Sequence, residues 1–86
     1  MIIYEQKKYK LTSVTKVVNG CTVYRIKALK DFGTVKKGDM GGYIQSSMNL
    51  SHDDDCWIFD NAIVCDQAKI FRNAGVYGDA KIYGVL

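Results

Sequence analysis

Eighty-six residues, a net charge of +3, 48% hydrophobic residues and no proline describe one small ordered domain with a modest core. They exclude a disordered tail, and no apolar run is long enough to span a bilayer as a helix. The start, MIIYEQKKYK, has two isoleucines and then charges, so it lacks the apolar core of a secretion signal. The three cysteines, Cys21, Cys56 and Cys65, have no CxxC spacing and read as reduced thiols, which points to the cytoplasm and away from a membrane.

The charge is unevenly spread. Residues 1–47 hold nine Lys or Arg against three acids, and residues 48–86 hold three against six. Solvated strand faces account for lysines of this kind, and so does an acidic or nucleic-acid partner. The candidate partner contacts are Lys7, Lys8, Lys10, Arg25, Lys27, Lys36 and Lys37, with Tyr4, Tyr9 and Tyr24 among them. Cations with aromatics can hold a phosphate backbone and stack bases. With one arginine in the basic first half, no recognition helix and an acidic second half, nucleic acid is the less favoured partner.

In chain order, the first predicted element is a hairpin. TKVVNGCTVYRIKAL sets Asn19-Gly20, which tolerate positive φ, between strand-forming Val17, Val18, Thr22, Val23 and Tyr24. In KDFGTVKKGDMGGYI, Gly33, Gly38, Gly41 and Gly42 mark tight turns between short strands. The Gly41-Gly42 pair is expected where the chain passes close under the next layer. SSMNLSHDDDC then leads onward. Its His52, Asp53, Asp54, Asp55 and Cys56 are metal-ligand types, but three consecutive acids cannot all face one ion, so a polar turn is expected and no metal or cofactor is assigned.

From residue 54 to residue 83 the chain repeats every six residues: DDCWIF, DNAIVC, DQAKIF, RNAGVY, GDAKIY. A small residue, Cys56, Ala62, Ala68, Ala74 or Ala80, precedes an aliphatic one by two places: Ile58, Val64, Ile70, Val76, Ile82. Neither helical nor plain strand periodicity gives this spacing. It reads as a short strand and a corner, repeated, with the small residue at the bend and the aliphatic residue inside. Phe59, Cys65, Phe71, Tyr77 and Tyr83 are then expected outside. The first half of the chain is expected to cover Trp57 and Phe59, leaving Tyr77 and Tyr83 free.

These hexads resemble the hexapeptide-repeat family. The resemblance implies an all-β fold with a short left-handed parallel β-helix, three hexads per turn. Residue n then lies under n+18, which stacks Ile58 on Val76, Val64 on Ile82, Cys56 on Ala74 and Ala62 on Ala80. With ALKDF, VKKGDMGGYI and NLSHDDDCWIFDNA, residues 10–86 resemble YdcK-like proteins of bacteria and phages, in which a small β cap precedes a longer β-helix. The implied organisation is a single domain over 1–86, with a hairpin-bearing cap at 1–47 and the β-helix at 48–86.

Hexapeptide-repeat proteins are often acyltransferases, which use a histidine base by resemblance. His52 precedes the first full hexad, and no substrate loop stands between hexads, so the expectation is a non-catalytic protein that works by contact. Cys65 has no basic residue nearby in the hexads to activate it. Size and family association suggest a phage or mobile-element protein, an anti-CRISPR-like inhibitor that blocks a host protein or complex. A truncated cap of a longer β-helix protein is the alternative, and a nucleic-acid binder is the third. The apolar last turn suggests a homodimer through Tyr77, Lys81, Ile82, Tyr83, Val85 and Leu86, since open strand edges invite pairing.

Overall fold

The computed structural model describes residues 7–84, so the expectations placed on Tyr4, Val85 and Leu86 lie outside it. The strands are β1 (Tyr9–Val18), β2 (Cys21–Ala28), β3 (Met40–Ile44), β4 (Trp57–Ile58), β5 (Ile63–Cys65), β6 (Gly75–Val76) and β7 (Lys81–Tyr83). A single 3-10 turn, Ser47–Asn49, is the one helical piece among the described residues. None of their helices is long and apolar enough to cross a membrane.

β1 and β2 form the expected hairpin. Asn19 and Gly20 take φ of 49° and 80° between the paired residues Val18 and Cys21, the left-handed pair that a two-residue turn requires. β3 pairs antiparallel with β2 along one edge and parallel with β5 along the other, and β5 pairs parallel with β7. The result is one mixed sheet of order β1-β2-β3-β5-β7. A second sheet joins β4 and β6 in parallel, and Leu50 bridges to Ile70 in parallel.

The ladder has two registers. Ile58 lies opposite Val76 and Val64 opposite Ile82, eighteen residues on, as the resemblance to hexapeptide-repeat proteins implies. Ile44 lies opposite Val64 and Leu50 opposite Ile70, twenty residues on. Parallel stacking therefore reaches back into β3, upstream of the first hexad.

The bends differ from expectation by two places. Asp54, Asp60, Asp66, Arg72 and Gly78, the first residue of each hexad, have φ of 57°, 56°, 58°, 58° and 64°. That left-handed region is open to Gly and tolerated by Asp. The chain turns there, and two places on, Cys56 and Ala62 are fully buried, Ala68 and Ala80 half-buried and Ala74 exposed.

The main core gathers Tyr9, Ile26, Ile44, Leu50, Ile58 and Val64, with Trp57 beneath the cap as expected. Gly41 and Gly42 allow this closeness. A Cβ on Gly41 would sit 2.7 Å from Ile26 Cγ1 and from Ile58 O, and one on Gly42 would run into the Ala62 carbonyl. A smaller cluster, Val23, Tyr43, Ile63 and Cys65, lies on the opposite face of the sheet, because successive strand side chains alternate. Cys65 is thus fully buried, contrary to its expected outward position. Period fixed its direction correctly, but the outer face is itself packed by β2 and β3, and Lys16 and Arg25 lie over the Tyr43 ring at 4.8 Å each.

Candidate functional site

The hairpin alternation sorts the basic residues. Lys7, Lys10, Lys36 and Lys37 are exposed and Lys27 is half-buried. Lys10 and Lys27 are direct partners across β1 and β2, a like-charge pair that destabilises a sheet. Arg25 is committed within the chain: its guanidinium donates to Asp60 O at 3.1 Å and to Asn61 Oδ1 at 2.7 Å. It thereby ties β2 to the corner of the second hexad.

Lys8 is a correction to the contact list, because it is completely buried. Its ammonium donates to the carbonyls of Cys56 at 2.8 Å, Asp54 at 3.2 Å and Asp53 at 3.3 Å. The Cys56 Sγ lies 3.3 Å away and the Phe32 ring centre 4.7 Å away. The turn at 53–56 therefore aims its carbonyls at one lysine, which replaces the hydration that a buried cation loses.

His52 serves the same junction. Its Nδ1 accepts the Lys8 amide N–H at 3.1 Å, and its ring stacks on Tyr9 at 4.1 Å. The Tyr9 hydroxyl donates to Leu50 O. Burial, and then the neighbouring Cys56, raise the Tyr9 hydroxyl above its ordinary pKa. Burial, followed by Asp66 and Cys21, likewise raises the Cys65 thiol. Among the described residues, no group of three or more His, Cys, Asp or Glu side chains is arranged to hold a metal ion.

Two depressions meet at Lys7. One is walled by Lys7, Leu29, Lys30, Asp31 and Lys37. The other is a cleft under the hairpin. Tyr9, Leu11 and Tyr24 form its apolar side, Gln45, Ser46 and Ser47 its polar side, and Lys7 and Lys10 are its cations, with His52 also at the wall. Lys27 and Lys36 do not line either depression. Tyr24 and Lys30 belong to the basic, aromatic front half read from the sequence, and the Gln45–Ser47 turn was missed. The signal for Tyr24 was its alternation with Val23, which turns inward to the smaller cluster on the opposite face.

The residues expected at a dimer interface lie at the far end of the ladder. Lys81, Ile82 and Tyr83 make up β7, and Ile82 is 37% exposed. Tyr77 is exposed but stacks on Phe59, ring centres 4.5 Å apart.

No family model matches the sequence. A curated protein of Escherichia coli (strain K12), "Uncharacterized acetyltransferase YdcK", is 36% identical over 61 residues, 70% of this chain and 19% of that protein. The chain thus spans about a fifth of that relative's length. The likeness suggests a hexapeptide-repeat kind of sequence at most. It also corrects the expectation that the chain is not an enzyme: a partial match to a protein named as an acetyltransferase points towards an enzyme family.

Proposed function

We propose that this chain starts a left-handed parallel β-helix, closing one end of the stack and setting the register for the rungs that follow. The observation that carries the reading is β3, which is antiparallel to β2 and parallel to β5. A strand paired along both edges leaves no open ladder on the β3 side of this end. The step from a twenty-residue to an eighteen-residue offset is the hand-over from cap to repeat. Left-handed residues at every sixth position supply the corners that a three-sided turn needs. The match to a relative named as an acetyltransferase extends the reading: the module serves a protein that transfers acetyl groups.

The test of the capping role is to append one in-phase unit patterned on residues 66–83. It should raise Tm and slow amide exchange in β7, whereas a scrambled unit of the same composition should do neither. Equal protection by both sinks the templating role. Acetyl transfer is read separately, as turnover of a labelled acetyl donor above blank; no turnover retires that extension alone. The same edge also fits a second copy, docked through Tyr77, Lys81, Ile82 and Tyr83, given the exposure of Ile82 and Tyr77. Light scattering at twice the chain mass, reverting with Ile82→Lys, supports that use, and a monomer removes it.

A further inference from the structure

We propose that the two depressions joined at Lys7 form one groove for a single-stranded nucleic acid, with phosphates at Lys7, Lys30 and Lys37 and a base in the cleft beside Tyr24. Three observations lead there independently of the repeat.

The first is uncompensated charge. Lys7, Lys30 and Lys37 surround one depression whose single acid is Asp31. Three lysines against one carboxylate leave the wall net positive, and the Asp31 carboxylate accepts the Lys37 amide N–H at 2.7 Å. Beside it Lys10 faces Lys27 across the hairpin. Like charges held opposite one another are stabilised when an anion lies between them.

The second is the adjoining cleft. Its volume, ≈ 430 Å³, falls in the range of about 300–1,000 Å³ that encloses small planar ligands. Its lining combines Tyr24 and Leu11 with the polar residues Gln45, Ser46 and Ser47. An aromatic face with polar groups nearby accepts a base, which has a flat π-surface and a hydrogen-bonding edge. A duplex keeps its bases stacked inside and cannot present one to a cleft of this kind. A larger depression on Gln45, Ser46, Met48, Asp66, Gln67 and Gly84 has no cation and no aromatic, so it offers neither contact.

The third is continuity. Lys7 lines both depressions, so a phosphate at Lys7 puts its own base at the cleft and its neighbour at Lys30 and Lys37. Cationic track and stacking platform side by side are how sequence-tolerant single-strand binders work.

The test is fluorescence anisotropy of the full chain with a labelled homopyrimidine strand, its duplex and a polyglutamate of similar charge. The single strand should bind best. Three phosphate contacts should give a slope of about −2 in log K against log salt, at about −0.7 each. Lys30→Gln and Lys37→Gln should each lower the slope by about 0.7. Tyr24→Leu should weaken binding about tenfold or more with the slope unchanged, and Tyr24→Phe, which keeps the ring, should restore it. That split between slope and affinity is one that general unfolding does not produce, and melting curves check each variant. Equal binding of duplex or polyglutamate overturns the proposal. So does a Tyr24→Leu variant that binds like the parent, or no binding at low salt.

Discussion

The cap and the ladder bury their interiors by different means. The cap uses two long antiparallel strands whose side chains cover the first rung from above; Ile26, Ile44, Leu50 and Ile58 are all at 0% exposure. The ladder uses two- and three-residue strands, and each rung depends on the next. Along one column exposure runs from 0% at Ile44 and Val64 to 37% at Ile82, and along another from 0% at Ile58 to 8% at Val76. Apolar burial is roughly proportional to stabilisation, so the rungs packed against β1–β3 contribute more than the last rung of the ladder. The junction between them is where substitutions should act most strongly.

The largest effect is expected at Gly42. A valine there meets Ile58 Cγ2 and the Ala62 backbone carbonyl, and the carbonyl, which accepts the Tyr43 amide N–H, cannot withdraw without parting β3 from the segment entering β5. Overpacking costs about 1–3 kcal/mol where side chains can adjust, and more where backbone must move. Gly42→Val should therefore leave no cooperative thermal transition. A well-folded Gly42→Val chain would show that cap and ladder are not in contact there. Next comes a matched pair inside the ladder. Ile58→Ala should cost about 4 kcal/mol and Ile82→Ala about 1, since cavity cost follows burial. Equal losses in denaturant titration would remove the gradient on which the comparison rests.

The hairpin and its turn and the five hexads were legible in the sequence, because each rests on local rules: φ tolerance at Asn19-Gly20 and the spacing of small and aliphatic residues; the eighteen-residue stack came from the resemblance to hexapeptide-repeat proteins. The Gly41-Gly42 approach was legible for the same reason. What eluded the sequence is nonlocal. Lys8 lies between Lys7 and Lys10, both exposed, and only the fold brings the 53–56 carbonyls to it. Cys65 has the outward phase, but its burial comes from strands over twenty residues away in the chain. The twenty-residue offset belongs to a segment without hexads. The inhibitor of a host defence machine drew on size and family association, and no residue of the fold carries it. The candidate groove joins residues 7, 9–11, 24, 29–31, 37, 45–47 and 52, and no local motif announces such an assembly.

Lys8 gives a third, smaller test of the junction. Lys8→Met keeps the alkyl stem but leaves three carbonyls without their donor. Unsatisfied buried groups cost about 1–3 kcal/mol, and partial hydration on relaxation should bring the total to about 2. Denaturant midpoints measure it, and a neutral result would mean that the ammonium is not held as described. Alkali probes both halves at once. Tyr9 in the cap and Cys65 in the ladder hold their protons more tightly when folded. Stability should be flat below pH about 8 and fall as pH rises past about 9–10, where the unfolded chain releases protons that the folded chain keeps. Tyr9→Phe should flatten the upper part of that fall and Cys65→Ala the lower part. A pH profile unchanged by either substitution would contradict the burial of both groups.

The smallest effect, and the only gain expected from a substitution, concerns a corner. Four of the five left-handed corners carry residues suited to that backbone: Asp54, Asp60, Asp66 and Gly78. Asp60 adds a bond, its Oδ2 accepting the Gly78 amide N–H at 2.9 Å. Arg72 is the exception, at φ 58°. A side chain with an ordinary Cβ environment loses about 1–2 kcal/mol in this region, and Asn or Asp loses less because its short polar group bonds locally. What Arg72 recovers is an exposed contact, its guanidinium 5.8 Å from the Phe71 ring centre, worth about 0.5 kcal/mol. Arg72→Asn should therefore gain about 0.5 kcal/mol, or about 2–4 °C in Tm for a domain of this size. Arg72→Gly should gain less, because glycine also loosens the unfolded chain, and Arg72→Val should lose, because a β-branched residue fits the region worst. Asp60→Ala is the control, losing both the tolerant residue and the acceptor for Gly78. The order Asn, Gly, Arg, Val in melting temperature would locate the bend at the first residue of each hexad. A higher Tm for Val than for Asn would move it elsewhere, and the corner geometry of the whole ladder with it.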